Sequence, residues 1–121
     1  MQAIWAGRIV SAVPVLFMLA DGASHIAKPA PVVQAFGQLG YPLSTAVPLG
    51  IVAIICVALY VVPRTAVLGA ILLTGYLGGA VSTHVRVGDP LFPTIFPLLI
   101  GALLWGGLYV RDARLRALIT G

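Results

Sequence analysis

The sequence predicts an all-α integral membrane protein, an antiparallel four-helix bundle with a short interfacial or re-entrant helix between spans one and two. Composition is the first observation: 60% of the 121 residues are hydrophobic, only 8% are charged, and the mean hydropathy is +1.09. Soluble domains carry about 25% charged residues. The second observation is the placement of the charges, which leaves uncharged stretches close to the roughly 20 residues that cross a bilayer as a helix. We therefore expect a single transmembrane domain over residues 1–121.

Four segments are long enough to span, at about residues 3–25, 43–62, 65–84 and 91–110. The last three contain no Asp, Glu, Lys or Arg. The first contains Arg8 and Asp21, so it spans only if the Arg8 side chain extends to the membrane surface. The alternative for this segment is a cleaved signal peptide with Ile9–Ala20 as its core, although no clean small-residue cleavage site follows.

The connections between spans differ in length. Pro63 and Arg64 form a tight antiparallel turn between spans two and three, whereas residues 26–42 are long enough to hold an element of their own. Pro31 is a suitable opening residue for a short helix there. Such a helix would place Val32, Phe36 and Leu39 on one face, and it would lie in the interface or fold back into the mouth of the bundle.

Positive charge predicts the orientation of the spans. The end that carries both termini also carries Arg8, Arg64, Arg111, Arg114 and Arg116, and the other end carries Lys28 and Arg86. Because loops rich in Lys and Arg stay in the cytoplasm, we expect cytoplasmic termini. An aromatic belt is expected at the same end, formed by Trp5, Tyr60, Trp105 and Tyr109.

A face of small residues runs along span three and comprises Gly75, Gly78, Gly79 and Ser82. Small residues let helix backbones approach closely in lipid, where little hydrophobic force drives helices together. We therefore expect this face to pack against a helix of the same bundle or of a second copy. A groove for a cofactor is the alternative.

Several function classes are excluded. The single cysteine, Cys56, rules out an internal disulfide and a CxxC redox pair, and we expect it to be a buried, inert thiol. The basic residues form no stripe interleaved with aromatic residues, which argues against nucleic-acid binding. No metal site is predicted.

The antiparallel topology brings five ionisable residues to the end opposite the termini. These candidate ligand-binding residues are Asp21, His25, His84, Arg86 and Asp89, with Lys28 nearby. Asp21 is the most informative, because the C-terminal end of a helix disfavours an anion and an acid near lipid needs a partner. His25 lies one turn later on the same face, and Arg86 or His84 is expected to reach the pair across the bundle.

Simpler roles remain open for three of these residues. Asp89 precedes Pro90 and suits a helix N-cap. Arg86 can extend its side chain to the headgroups, and His84 can be an ordinary interfacial side chain. His84 and Arg86 face opposite sides of an unbroken helix, so they converge only if the helix ends near His84. No catalytic residue is assigned.

The segments "LGYP" (39–42), "PRTAVLGAILLTGYLGGAVSTHVRVGDPLFP" (63–93) and "LLWGGLYVRDARLR" (103–116) resemble the DoxX-like family of small bacterial membrane proteins. The resemblance implies a four-span protein of the bacterial cytoplasmic (inner) membrane. Some members of the wider DoxX group are tied to membrane sulfur or quinone redox chemistry and to oxidative-stress complexes. Distant eukaryotic relatives act as receptor-assembly factors.

Three functions follow as hypotheses. The first is an accessory of a membrane redox system that binds a quinone or another small lipophile at the extracytoplasmic polar end. The second is a noncatalytic assembly factor or structural subunit that packs against a membrane protein partner or a second copy. The third is a small membrane isomerase or lyase with Asp21 and His25 as acid and base. Whether the protein is an enzyme stays open.

Overall fold

The computed structural model describes residues 2–120, except for the side chain of residue 3. Every regular element in this range is helical: α1 (Gln2–Ala27), α2 (Ala30–Leu39), α3 (Ala46–Val61), α4 (Ala66–Val87), α5 (Leu91–Arg111) and α6 (Ala113–Thr120), with a 3₁₀ turn at Leu43–Thr45. Four of them, α1, α3 with its preceding turn, α4 and α5, are long and apolar enough to cross a membrane. The predicted all-α class is confirmed, and α6 is an additional helix that the sequence reasoning did not include.

The four long helices form the bundle. α1 packs mainly against α3 and α5, and α4 packs against the same two helices, so α1 and α4 lie diagonally opposite each other. Tyr60, Leu73 and Leu108 are fully buried in the core between the helices. Large apolar side chains cover the outside, including Leu16 and Ile9, which are 67% and 64% exposed. Such a surface suits lipid, because soluble proteins rarely expose large contiguous apolar patches.

Glycines on α1, α3 and α5 set the closest contacts between helices. A Cβ added at Gly50 of α3 would lie 2.5 Å from the carbonyl oxygen of Gly22 on α1. A Cβ added at Gly107 of α5 would collide with the side chain and backbone of Ser11 on α1. Only glycine allows helix backbones to approach this closely, so these crossings hold α1 against both neighbours.

The small-residue face of α4 does not make the contact that was expected inside the bundle. A Cβ added at Gly75, Gly78 or Gly79 would meet no described atom within 4 Å, and Ser82 is exposed. These glycines therefore make no close contact with another helix of the described bundle, because α4 turns other residues, such as Gly69, Ala70 and Leu73, toward its neighbours. Contact with a second copy stays a prediction.

A buried polar chain joins three helices near the termini. The Nε–H of Arg111 donates to the Ser11 hydroxyl at 3.1 Å, Ser11 donates to the Tyr60 hydroxyl at 3.0 Å, and Tyr60 donates to the Leu104 carbonyl. The Arg111 guanidinium also lies 5.0 Å from the centre of the Tyr60 ring. Tyr60 is therefore a buried side chain that links α3 to α1 and α5 through its hydroxyl group, and it is not a member of the expected aromatic belt.

The last helix begins at an aspartate cap. One carboxylate oxygen of Asp112 accepts hydrogen bonds from the backbone N–H groups of Arg114 and Leu115, at 2.9 and 3.2 Å. Burial raises the pKa of the Asp112 carboxyl, but the hydrogen bonds from Leu115 and Arg114 outweigh it, so the pKa lies below its usual value. Leu115 is buried and docks α6 on the bundle.

The glycine crossing of α1 and α5 gives the first prediction. We expect Gly107→Ala to lower the free energy of unfolding by about 2 kcal/mol, because overpacking of a tight contact typically costs 1–3 kcal/mol. Gly106→Ala is the matched control, since a Cβ at Gly106 meets no described atom within 4 Å. Thermal unfolding in one detergent compares the two variants, and equal stability of both would contradict a close crossing at Gly107.

The Asp112 cap gives the second prediction. Because its folded pKa is depressed, the stabilisation is present above the unfolded pKa of about 3.9 and is lost as pH falls through the folded value. We expect hydrogen exchange in residues 113–120 to accelerate as pH falls below about 4, after correction for the intrinsic pH dependence of exchange. Asp112→Asn keeps an oxygen that can accept the two N–H bonds but does not titrate, so it should remove this step. An unchanged step in the variant would contradict the assignment.

Candidate functional site

A cavity of about 530 Å³ opens at the end of the bundle opposite the termini, between α1, α2 and α4. We call it the α2 cavity. Its lining residues are Asp21, His25, Pro31, Val32, Ala35, Phe36, Leu39, Tyr41, Leu49, Gly75, Tyr76, Gly79, Ala80, Thr83 and His84. Most of the lining is apolar, and the polar groups are contributed by α1, α4 and Tyr41.

Helix α2 forms the roof of the cavity. Pro31 lies in its first turn, as expected, and Gly40 ends it in the left-handed conformation at φ 77°. Val32, Phe36 and Leu39 all line the cavity, which confirms the expected face. The helix covers the cavity at this end of the bundle, and both alternatives for the segment, in the interface or folded back into the mouth, stay predictions.

Three contacts hold the roof in place. The Phe36 ring is buried and packs edge-on against His25 of α1, with 5.3 Å between ring centres. The Tyr41 hydroxyl lies 2.8 Å from the Thr83 hydroxyl of α4. Arg86 donates to the Leu39 carbonyl at 2.6 Å, so this arginine anchors the C-terminal end of α2 and does not line the cavity.

The acid on α1 is paired within its own helix. The Nδ1–H of His25 donates to the Asp21 carbonyl at 2.6 Å and lies 3.7 Å from an Asp21 carboxylate oxygen. The close approach of Gly22 to Gly50 on α3 fixes the position of this turn. With Nδ1 occupied, Nε2 is the His25 nitrogen left to a ligand.

The second pair lies at the end of α4. The helix continues past His84 to Val87, and Gly88 ends it in the left-handed conformation at φ 73°. The resulting reversal brings Asp89 back to His84, whose Nδ1 lies 2.5 Å from the carboxylate. The expected N-cap role of Asp89 is wrong, because α5 begins after Pro90 without a side-chain cap.

These pairs replace the single network expected from the sequence. Within residues 2–120, the ion pairs at this end join His25 to Asp21 and His84 to Asp89, and neither includes Arg86 or Lys28. Arg86 is turned away because α4 remains helical through Val87 and places it on a different side from His84. The α2 cavity nevertheless brings Asp21, His25 and His84 together, and a ligand-binding role for them stays a prediction.

The sequence reasoning missed several lining residues, notably Tyr41, Tyr76 and Thr83. Their signal was weak, because an isolated hydroxyl group in or beside a span has no diagnostic pattern. The four-residue spacing of Gly75, Gly79 and Thr83 places the three on one side of α4. Gly75 and Gly79, two of the four residues in the small-residue face, therefore line the cavity. The alternative prediction, that this face forms a groove for a cofactor, requires such a position.

A family model places this architecture among known proteins. The DoxX-like family model matches residues 9–107, a range that runs from α1 to near the end of α5 and includes all of the α2 cavity. No curated protein and no solved structure matches the chain. Because the match covers most of the sequence and all four long helices, the chain belongs to the DoxX-like family.

Proposed function

We propose that this membrane protein binds a small lipophile in the α2 cavity, with a quinone as the favoured ligand class, and serves as an accessory of a membrane redox system. The observation that carries the proposal is the lining of the cavity, in which two histidines, one aspartate and a few hydroxyl groups meet a mostly apolar wall. Ligand pockets are typically about 300–1,000 Å³, mostly apolar and supplied with a few polar groups. The α2 cavity has this size and composition.

The histidine pairs suit the polar end of such a ligand. Since Asp89 occupies Nδ1 of His84, the neutral ring can accept a hydroxyl hydrogen bond at Nε2. A protonated His84, held by the Asp89 carboxylate, can instead donate from Nε2 to a carbonyl oxygen. A hydroquinone presents hydroxyl groups and a quinone presents carbonyl oxygens, so the same ring serves both. The quinone supplies the redox chemistry when bound, and the electrons come from a partner system.

The glycines of α4 suit the apolar end of the ligand. Gly75 and Gly79 line the cavity and are exposed, and a Cβ at either position would meet no described atom within 4 Å. The wall of the cavity is therefore open along α4, on the apolar surface of the bundle. A hydrocarbon tail can extend from the cavity along this face without leaving the lipid.

The charge distribution supports an orientation. Five of the seven Lys and Arg residues lie at the end with the termini, and this bias supports cytoplasmic termini in a bacterial inner membrane. The α2 cavity then opens near the extracytoplasmic surface, where a ligand can exchange protons with that compartment.

A second candidate is a noncatalytic subunit or assembly factor of a larger membrane complex. It is favoured by Gly78 and Ser82, which are exposed, do not line the cavity, and lie on the lipid side of α4. Small residues at this spacing allow close approach of another helix.

The glycine wall gives the third prediction. We expect Gly79→Leu to weaken binding of a decyl-substituted benzoquinone by about tenfold, or about 1.4 kcal/mol, because the new side chain occupies the cavity. Fluorescence titration of the purified protein in lipid nanodiscs measures the affinity.

Gly78→Leu is the matched control, because it adds the same volume one residue away and outside the cavity. It should leave quinone affinity unchanged. Equal losses in the two variants, or no quinone binding by the unmodified protein, would contradict the proposal. Loss of a co-purifying membrane protein in Gly78→Leu alone would favour the second candidate.

The His84–Asp89 pair gives the fourth prediction. We expect Asp89→Asn to weaken quinone binding by about fivefold, since hydrogen bonds to charged groups are roughly twice as strong as neutral ones. The amide keeps the shape of the carboxylate but accepts a weaker hydrogen bond from Nδ1 of His84. Asp112→Asn removes one negative charge at the other end of the bundle and should not change the affinity. Unchanged quinone affinity in Asp89→Asn would contradict a role for the His84–Asp89 pair in binding the ligand.

A further inference from the structure

A second pocket lies at the opposite end of the bundle, near the termini. It has a volume of about 410 Å³ and is lined by Pro63, Arg64, Arg111, Asp112, Ala113 and Arg114. We call it the arginine pocket. Three arginines and one aspartate therefore line the same space, where the α3–α4 turn meets the α5–α6 junction.

The carboxylate does not neutralise the three arginines. Asp112 caps α6 through two backbone N–H groups and receives only one guanidinium contact, from Arg114 at 3.5 Å. Arg111 donates to Ser11 through Nε and lies over the Tyr60 ring, so it adds positive charge beside the pocket. Arg114 also donates to the Pro63 carbonyl at 2.6 Å, a neutral acceptor that does not compensate its charge. The Arg64 side chain forms no hydrogen bond or ion pair with any residue between 2 and 120.

The pocket lies at the ends of the candidate membrane spans, where lipid headgroups are expected. The membrane-spanning segments end at Val61 and Arg111 on this side, immediately before the residues that line it. Helix α6 follows, with Leu115 buried against the bundle and Leu118 and Ile119 exposed by 78% and 61%. A short helix with exposed apolar residues beside arginines is typical of a segment that lies on the membrane surface.

We propose that the arginine pocket binds the phosphate group of an anionic phospholipid. Guanidinium groups donate paired hydrogen bonds to phosphate oxygens, and basic pockets at the ends of membrane helices bind anionic headgroups. An anion in this pocket would join the α3–α4 turn to the α5–α6 junction. This site is separate from the α2 cavity and does not depend on the ligand proposed there.

The test measures lipid retention by native mass spectrometry. The protein is released from nanodiscs that contain equal amounts of phosphatidylglycerol and phosphatidylcholine. We expect the unmodified protein to retain phosphatidylglycerol preferentially, and Arg64→Gln to reduce that retention by about fivefold. Arg64→Lys should retain an intermediate amount, because lysine keeps the charge but loses the paired geometry.

Arg8→Gln is the matched control. Arg8 is exposed at the same end and lies over the Trp5 ring at 5.1 Å, outside the pocket, so its loss removes one charge without touching the site. A similar reduction in Arg8→Gln, or equal retention of the two lipids by the unmodified protein, would overturn the proposal.

A parallel titration with inorganic phosphate distinguishes the source of the anion: binding of free phosphate without retention of phosphatidylglycerol would also overturn it. Unchanged thermal unfolding in Arg64→Gln verifies that the fold is intact.

Discussion

The close approach of α1 to α3 and α5 is the constraint on which the rest of this structure depends. Lipid provides little hydrophobic force between helices, so association relies on packing at short distance. Gly22 meets Gly50 at one crossing, and Gly107 meets Ser11 at the other. The first crossing sets the position of the turn that carries Asp21 and His25. The second aligns Ser11 with Tyr60 and Arg111, so that a buried hydrogen-bonded chain forms near the termini.

The same arrangement creates the α2 cavity. Since α3 and α5 each pack against both α1 and α4, the latter two lie diagonally, and a space remains between them at the polar end. Helix α2 folds over this space, with Phe36 buried and the Tyr41 hydroxyl hydrogen-bonded to the Thr83 hydroxyl.

Glycine has two different effects in this chain. At Gly50 it allows contact with a neighbouring backbone, whereas at Gly79 it leaves the wall of the cavity open.

The charged side chains have different kinds of partner at the two ends of the bundle. At the polar end each acid has a histidine within five residues, which provides a partner in an apolar setting without a contact across the bundle. Both pairs use Nδ1, so each ring keeps one nitrogen for a ligand. At the other end the arginines support the backbone: Arg116 donates to the carbonyl groups of Tyr109 and Val110, and Arg114 donates to that of Pro63. Arg64 remains available in the arginine pocket.

The sequence by itself determined the all-α class, the four spans, the short helix after the first, and the end of the bundle at which Asp21, His25 and His84 meet. These features follow from the length of apolar segments, the spacing of charges and the alternation of an antiparallel chain, all of which are local or topological. Only the tertiary structure decided which glycines are contacts, that Asp89 binds His84 rather than capping α5, and that Arg86 anchors α2. The reason is that such roles depend on which side of a helix faces a neighbour. A rotation of α4 by one residue, about 100°, exchanges packing positions for open ones without altering the pattern of apolar residues.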